Sequence, residues 1–144
     1  MKQRFIYILL FIPFILNAQK DGSMLKVNVE GLRNTTGTLR ITLFSSADGF
    51  PEDAEKSYDA RSIDITDREM SFYFSDIPQG NYAFAILHDE DGDGKMRKNL
   101  VGIPREGFAF SENYKPKISS PSFEDAMFEV KKGVNVERVS IIYY

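Results

Sequence analysis

Apolar and polar side chains alternate along most of the chain. Leu25, Val27 and Val29 are separated by Lys26 and Asn28, and Leu39, Ile41 and Leu43 by Arg40 and Thr42. A period of two places each set on one face of an extended strand. Asn34-Thr35-Thr36-Gly37 between them supplies turn residues, so the two segments predict a hairpin. Ser45 to Arg61 is polar and predicts a loop, with one or two helical turns after Pro51. Ile63 and Ile65 predict a short third strand. Met70, Phe72 and Phe74 predict a fourth, and Ile77-Pro78-Gln79-Gly80 a tight turn after it.

Tyr82 to Leu87 is different, because Tyr82, Phe84 and Ile86 occupy one face while Ala83, Ala85 and Leu87 occupy the other. A strand apolar on both sides is central and covered twice, and the small alanines predict close approach of another layer. Leu100 to Phe123 loses the period and predicts a long loop held by Phe108, Phe110 and Tyr114. Ala126, Phe128 and Val130, then Val139, Ile141 and Tyr143, predict two more strands paired through Lys132-Gly133. Val136 is out of phase, which predicts a bulge or a late strand start. The sum is an all-β fold, a seven- to eight-stranded antiparallel β-sandwich.

The first eighteen residues stand apart. Lys2 and Arg4 precede an apolar run from Phe5 to Leu16, and Leu16-Asn17-Ala18 offers a cleavage site. This predicts a signal peptide over residues 1–18 and one domain over 19–144, exported to the periplasm or the cell surface. Twelve apolar residues are too few to cross a hydrocarbon core of about 30 Å, so no transmembrane segment is expected after processing. Without Lys2 and Arg4, 16 basic residues face 21 acidic ones. That balance argues against nucleic acid and against anionic membrane surfaces as partners. Cysteine is absent, which removes disulfides, thiol catalysis and zinc-thiolate sites, so stability must come from the core.

Candidate chemistry collects after the central strand. In His88-Asp89-Glu90-Asp91-Gly92-Asp93-Gly94-Lys95, the side chains of Asp89, Asp91 and Asp93 with the carbonyl of Lys95 match the opening of a calcium loop. An EF-hand is excluded, because its twelfth position is Leu100 and its ninth is Arg97. A looser calcium loop would draw missing oxygens from Glu106, Glu112 or backbone carbonyls; the competing reading is a solvated turn. His88, the only histidine, is either a core-edge residue bonded to backbone or, with a carboxylate or Ser111, the base of a hydrolase. Arg105, Glu106, Phe108, Phe110 and Ser111 with His88 form a ligand-binding surface for sugar or peptide if exposed, and a loop anchor if buried.

These motifs carry a resemblance. Leu39 to Phe44 after Gly37, Phe74 to Ala83, His88 to Lys95, Gly102 to Ser111, Pro121 to Ala126 and the terminal Tyr143-Tyr144 together resemble the domain of unknown function 2141 family of small exported bacterial proteins. The Ile-Pro-x-Gly-x-Tyr turn is similar to that of transthyretin-like and carboxypeptidase-regulatory-like sandwiches, which bears on fold and not on function. The family often has an acid near Arg97 and Gly where Ala109 stands; the resemblance implies no mechanism. The expectation is therefore a non-enzymatic exported module with an unknown protein or glycan partner and calcium as its one candidate cofactor. A hydrolase and a carbohydrate- or peptide-binding accessory domain are the alternatives.

Overall fold

A computed structural model describes residues 22–117 and 119–144. The predicted leader lies outside the described residues. Eight strands form two sheets: β1 (Ser23–Glu30), β2 (Thr38–Phe44), β3 (Asp59–Asp64), β4 (Met70–Ile77), β5 (Gly80–Asp89), β6 (Gly107–Phe110), β7 (Phe128–Val130) and β8 (Val134–Ser140). One sheet runs β4-β1-β8. The other runs β3-β2-β5-β6, with β7 also on β5. Among the described residues a single four-residue α-helix, α1 (Phe123–Ala126), is closed by a capping box between Ser122 and Asp125. No helix among the described residues is long and apolar enough to cross a membrane.

The stripes read from the sequence are the core. Leu25, Val27 and Val29 face Leu39, Ile41 and Leu43 across the sandwich, joined by Phe72, Phe74, Tyr82, Phe84 and Ile86. Their pairing differs from expectation. β1 and β2 are not a hairpin: β1 pairs with β4 and β8, and β2 with β3 and β5. β7 and β8 likewise lie in different sheets. A buried stripe is satisfied equally by a neighbour in its own sheet or by a facing stripe about 10 Å away, so alternation alone does not choose between them. β1 and β8 are parallel, in unbroken register from Met24↔Val134 to Glu30↔Ser140. There is no bulge at Val136: Val134 and Val136 occupy the exposed face, and only Val139 and Ile141 reach the core.

Three other elements correct the sequence reading. β3 starts at Asp59, inside the expected loop, and is a mostly exposed edge strand with little apolar pattern. The expected short helix is a 3-10 turn, Ala54–Lys56. The long loop after Leu100 contains β6, whose four residues are all buried. A strand covered on both faces has no polar partner to alternate with.

β5 is the doubly covered central strand. Its second face, with Ala83 and Ala85, packs against Phe44, Phe108, Phe110, Phe123 and Ala126. Phe50 stacks edge-on against Phe44 and Phe123 there. The alanines leave room for this outer aromatic layer, as their size predicts.

A candidate functional site at the acidic rim

The chain leaves β5 at Asp89 and returns into β6 at Gly107, with His88 paired to Leu39 on one side and Gly107 on the other. Between them the loop folds back on itself through Lys98↔Pro104 and an Arg105 N–H to Arg97 carbonyl bond of 2.8 Å. Gly107 has no side chain because Tyr143 lies where its Cβ would be, 2.3 Å from Cε1. That close approach brings the Tyr143 phenol to His88.

His88 is fully buried. Its Nε2 is 2.8 Å from the Thr36 carbonyl, which only accepts, so Nε2 carries the proton. Its Nδ1 lies 2.7 Å from the Tyr143 hydroxyl, from which it accepts. The phenol oxygen in turn accepts the Arg33 N–H at 3.1 Å. Burial pushes the Tyr143 phenol above its ordinary range, so it stays a donor at neutral pH. Both ring nitrogens of His88 thus serve the fold, as in the core-edge reading.

The carboxylates behave alike. Asp89, fully buried, accepts the Gly92 and Gly94 N–H groups at 2.8 and 2.9 Å, with Arg40 Nη1 3.5 Å away. Glu106, also fully buried, accepts the Glu90 and Arg97 N–H groups, each at 2.9 Å. Asp91 accepts the Asp93 N–H and lies 3.4 Å from Arg97 Nη1. Asp93 accepts the Lys95 N–H at 2.7 Å. Ionised acceptors make strong bonds to backbone N–H groups, and these bonds supply the loop with the partners a strand ladder would otherwise give.

One oxygen each from Asp89, Asp91 and Glu106 lies within 4.8 Å of the others. Calcium–oxygen distances of about 2.3–2.6 Å let one ion touch three such atoms. Of the carboxylates the sequence offers, Asp89, Asp91 and Glu106 form this group and Asp93 lies outside it. Glu112 sits beyond β6, where it faces Glu137 instead.

The structure does not bring Ser111 to His88. Ser111 is fully buried, accepts the Phe84 N–H at 3.0 Å and donates to the Ala126 carbonyl at 2.5 Å. It sits beside Phe84, four residues along β5 from His88, or roughly 13 Å. Phe108 and Phe110 are buried in the outer aromatic layer, the placement that the loop-anchor alternative describes. Of the expected ligand-binding surface only Arg105 is exposed.

Spacing did not reveal Arg33 and Glu90. Arg33 Nε donates to Glu90 Oε1 at 3.0 Å, its Nη2 reaches Glu90 Oε2 and the Arg105 carbonyl, and the guanidinium stacks 4.6 Å over Tyr143. Asn34 adds a 2.7 Å bond to Glu90. The hydrogen bond from Arg33, against some desolvation, lowers the Glu90 pKa to about 2. A depressed carboxylate contributes stability above its unfolded value and loses it as the pH falls through the folded one. The window is therefore about pH 4.5 down to about 2. We expect Glu90→Gln to cost about 1–2 kcal/mol at pH 7, less than the full shift because Arg33 is partly exposed. In thermal melts across pH, the gap between wild type and variant closes below pH 4.5; a gap constant down to pH 2 contradicts the pairing.

No curated protein and no solved structure matched the chain. A family model described as an uncharacterized protein conserved in bacteria matches residues 27–137, a span that holds β2 to β7, parts of β1 and β8, and the acidic loop from His88 to Glu106. The chain therefore belongs to that family, DUF2141.

Proposed function

We propose that the protein is an exported, non-catalytic β-sandwich module whose working end is the rim between His88 and Glu106, with one structural calcium ion held there by Asp89, Asp91 and Glu106. The observation that carries this reading is the convergence of those three carboxylates within 4.8 Å. The engagement of both His88 ring nitrogens, by the Thr36 carbonyl and the Tyr143 hydroxyl, and of the Ser111 hydroxyl by backbone groups supports a role without chemistry at either residue. The leader-like first eighteen residues support export.

Two arginines compete with a metal for the same carboxylates: Arg97 on Asp91 and Arg40 on Asp89. Calcium binding to the folded state adds stability in proportion to the logarithm of its concentration above Kd. We expect millimolar calcium to raise the Tm by a few degrees relative to chelator. Asp91→Ala abolishes the increment, and Arg97→Ala enlarges it by removing the tethered cation. Calorimetry that shows no calcium response in wild type or Arg97→Ala removes the metal from the account.

A further inference from the structure

The loop between the rim and β6 ends in a feature the fold does not use. Leu100, Val101 and Ile103 are 107%, 77% and 45% exposed, three aliphatic side chains at the tip of one turn. The turn is well built. Asn99 Oδ1 accepts the Val101 and Ile103 N–H groups at 3.0 and 2.9 Å, the Asn99 N–H donates to the Ile103 carbonyl at 2.9 Å, and the Gly102 N–H to the Asn99 carbonyl at 3.0 Å. Lys98↔Pro104 closes its base. Apolar side chains held in the open by a fixed turn mark a contact surface.

The surroundings indicate the partner's chemistry. Lys95, Lys98 and Arg105 are exposed and have no carboxylate within ion-pair distance among the described residues. Of the neighbouring acids, Glu90 is paired with Arg33, Asp89 with Arg40 and Asp91 with Arg97, Glu106 accepts two backbone N–H groups, and the exposed Asp93 accepts the Lys95 N–H. The protein's net charge is negative, yet the aliphatic turn is flanked at its two ends by the exposed cations Lys98 and Arg105. Aliphatic groups with adjacent lysine and arginine suit the boundary of an anionic bilayer, where the chains enter the acyl region and the cations meet phosphates. A turn already ordered loses little conformational freedom on contact.

We propose that the Lys98–Arg105 turn is a membrane-docking tip, which inserts Leu100, Val101 and Ile103 into the interface of a bilayer rich in anionic phospholipid. The inference stands apart from the calcium reading, so the test is run with chelator present. The purified protein is floated with vesicles of phosphatidylglycerol and phosphatidylcholine, or of phosphatidylcholine alone. The bound fraction is expected to favour the anionic vesicles by at least tenfold and to fall with added salt. The pair Leu100→Ser and Val101→Ser should lower binding about tenfold with an unchanged Tm, and Lys98→Glu with Arg105→Glu should remove the preference for anionic lipid. Absence of vesicle binding, equal binding to both vesicles, or binding indifferent to both pairs overturns the proposal. So does sedimentation velocity showing that the tip is covered by a second copy of the chain and is released by the serine pair.

Discussion

Glu106→Ala is expected to destabilise the fold by about 3–5 kcal/mol, among the largest effects of any polar substitution in the chain. The carboxylate is fully buried and accepts the N–H groups of Glu90 and Arg97 at 2.9 Å each, so it ties the two ends of the acidic loop together. Removing it leaves two donors without partners and a cavity where the side chain was. For a domain of this size the loss corresponds to a fall in Tm of roughly 10–20 °C. Glu106→Gln separates the causes: the amide oxygen still accepts one N–H while its NH2 opposes the other, and the expected cost is about half. Two-state chemical denaturation measures both. A loss under 1 kcal/mol for Glu106→Ala would mean that water replaces the carboxylate freely and that the loop is not tied there.

Gly37→Ala is the second large effect, and Gly92→Ala is its control. Both glycines have positive φ, +77° and +75°, so the left-handed backbone costs alanine about 1–2 kcal/mol at either. Only the space differs. A Cβ at Gly37 would stand 2.0 Å from the Asp89 carbonyl oxygen and 2.7 Å from the Glu90 Cα, while at Gly92 nothing lies within 4 Å. The first obstacle is backbone, which cannot swing aside as a side chain can. It also adjoins Thr36, whose carbonyl holds His88. We expect about 3–5 kcal/mol for Gly37→Ala and about 1 kcal/mol for Gly92→Ala, read from urea midpoints at constant m. Equal costs would show that the two loops do not meet as described.

Much of the fold is legible along the chain because burial on one face writes itself as alternation. Leu25-Val27-Val29, Leu39-Ile41-Leu43 and the two-faced Tyr82 to Leu87 segment each correspond to a strand with the predicted inward side. Pairing is not legible, since β1 and β2 carry the same pattern whether they lie side by side or face each other. Segments without contrast between faces also escape: Gly107–Phe110 is buried throughout and Asp59–Asp64 mostly exposed.

The site was legible in part. Asp89 and Asp91 come together as alternate residues of a tight acidic turn, the first buried and the second exposed, while Asp93 stays outside the group. Glu106 joins them only because β6 lies beside β5, a contact spanning seventeen residues of sequence that spacing does not encode. The roles of the acids differ from their composition. Clustered aspartates suggest a metal, yet nearly every oxygen resolved here already receives a backbone N–H or an arginine. The overall acidity, read as repelling anionic surfaces, is an average that hides a basic tip.

Asp89 and Glu106 are the acceptors for the backbone of their own loop. Amide hydrogen exchange tests it most directly, because the N–H groups of Glu90, Gly92, Gly94 and Arg97 each donate to one of these two carboxylates. These four amides are expected to exchange slowly, approaching those of β5, and Glu106→Gln to speed Glu90 and Arg97 ahead of the others. Exchange of all four at the rate of an open surface loop contradicts it.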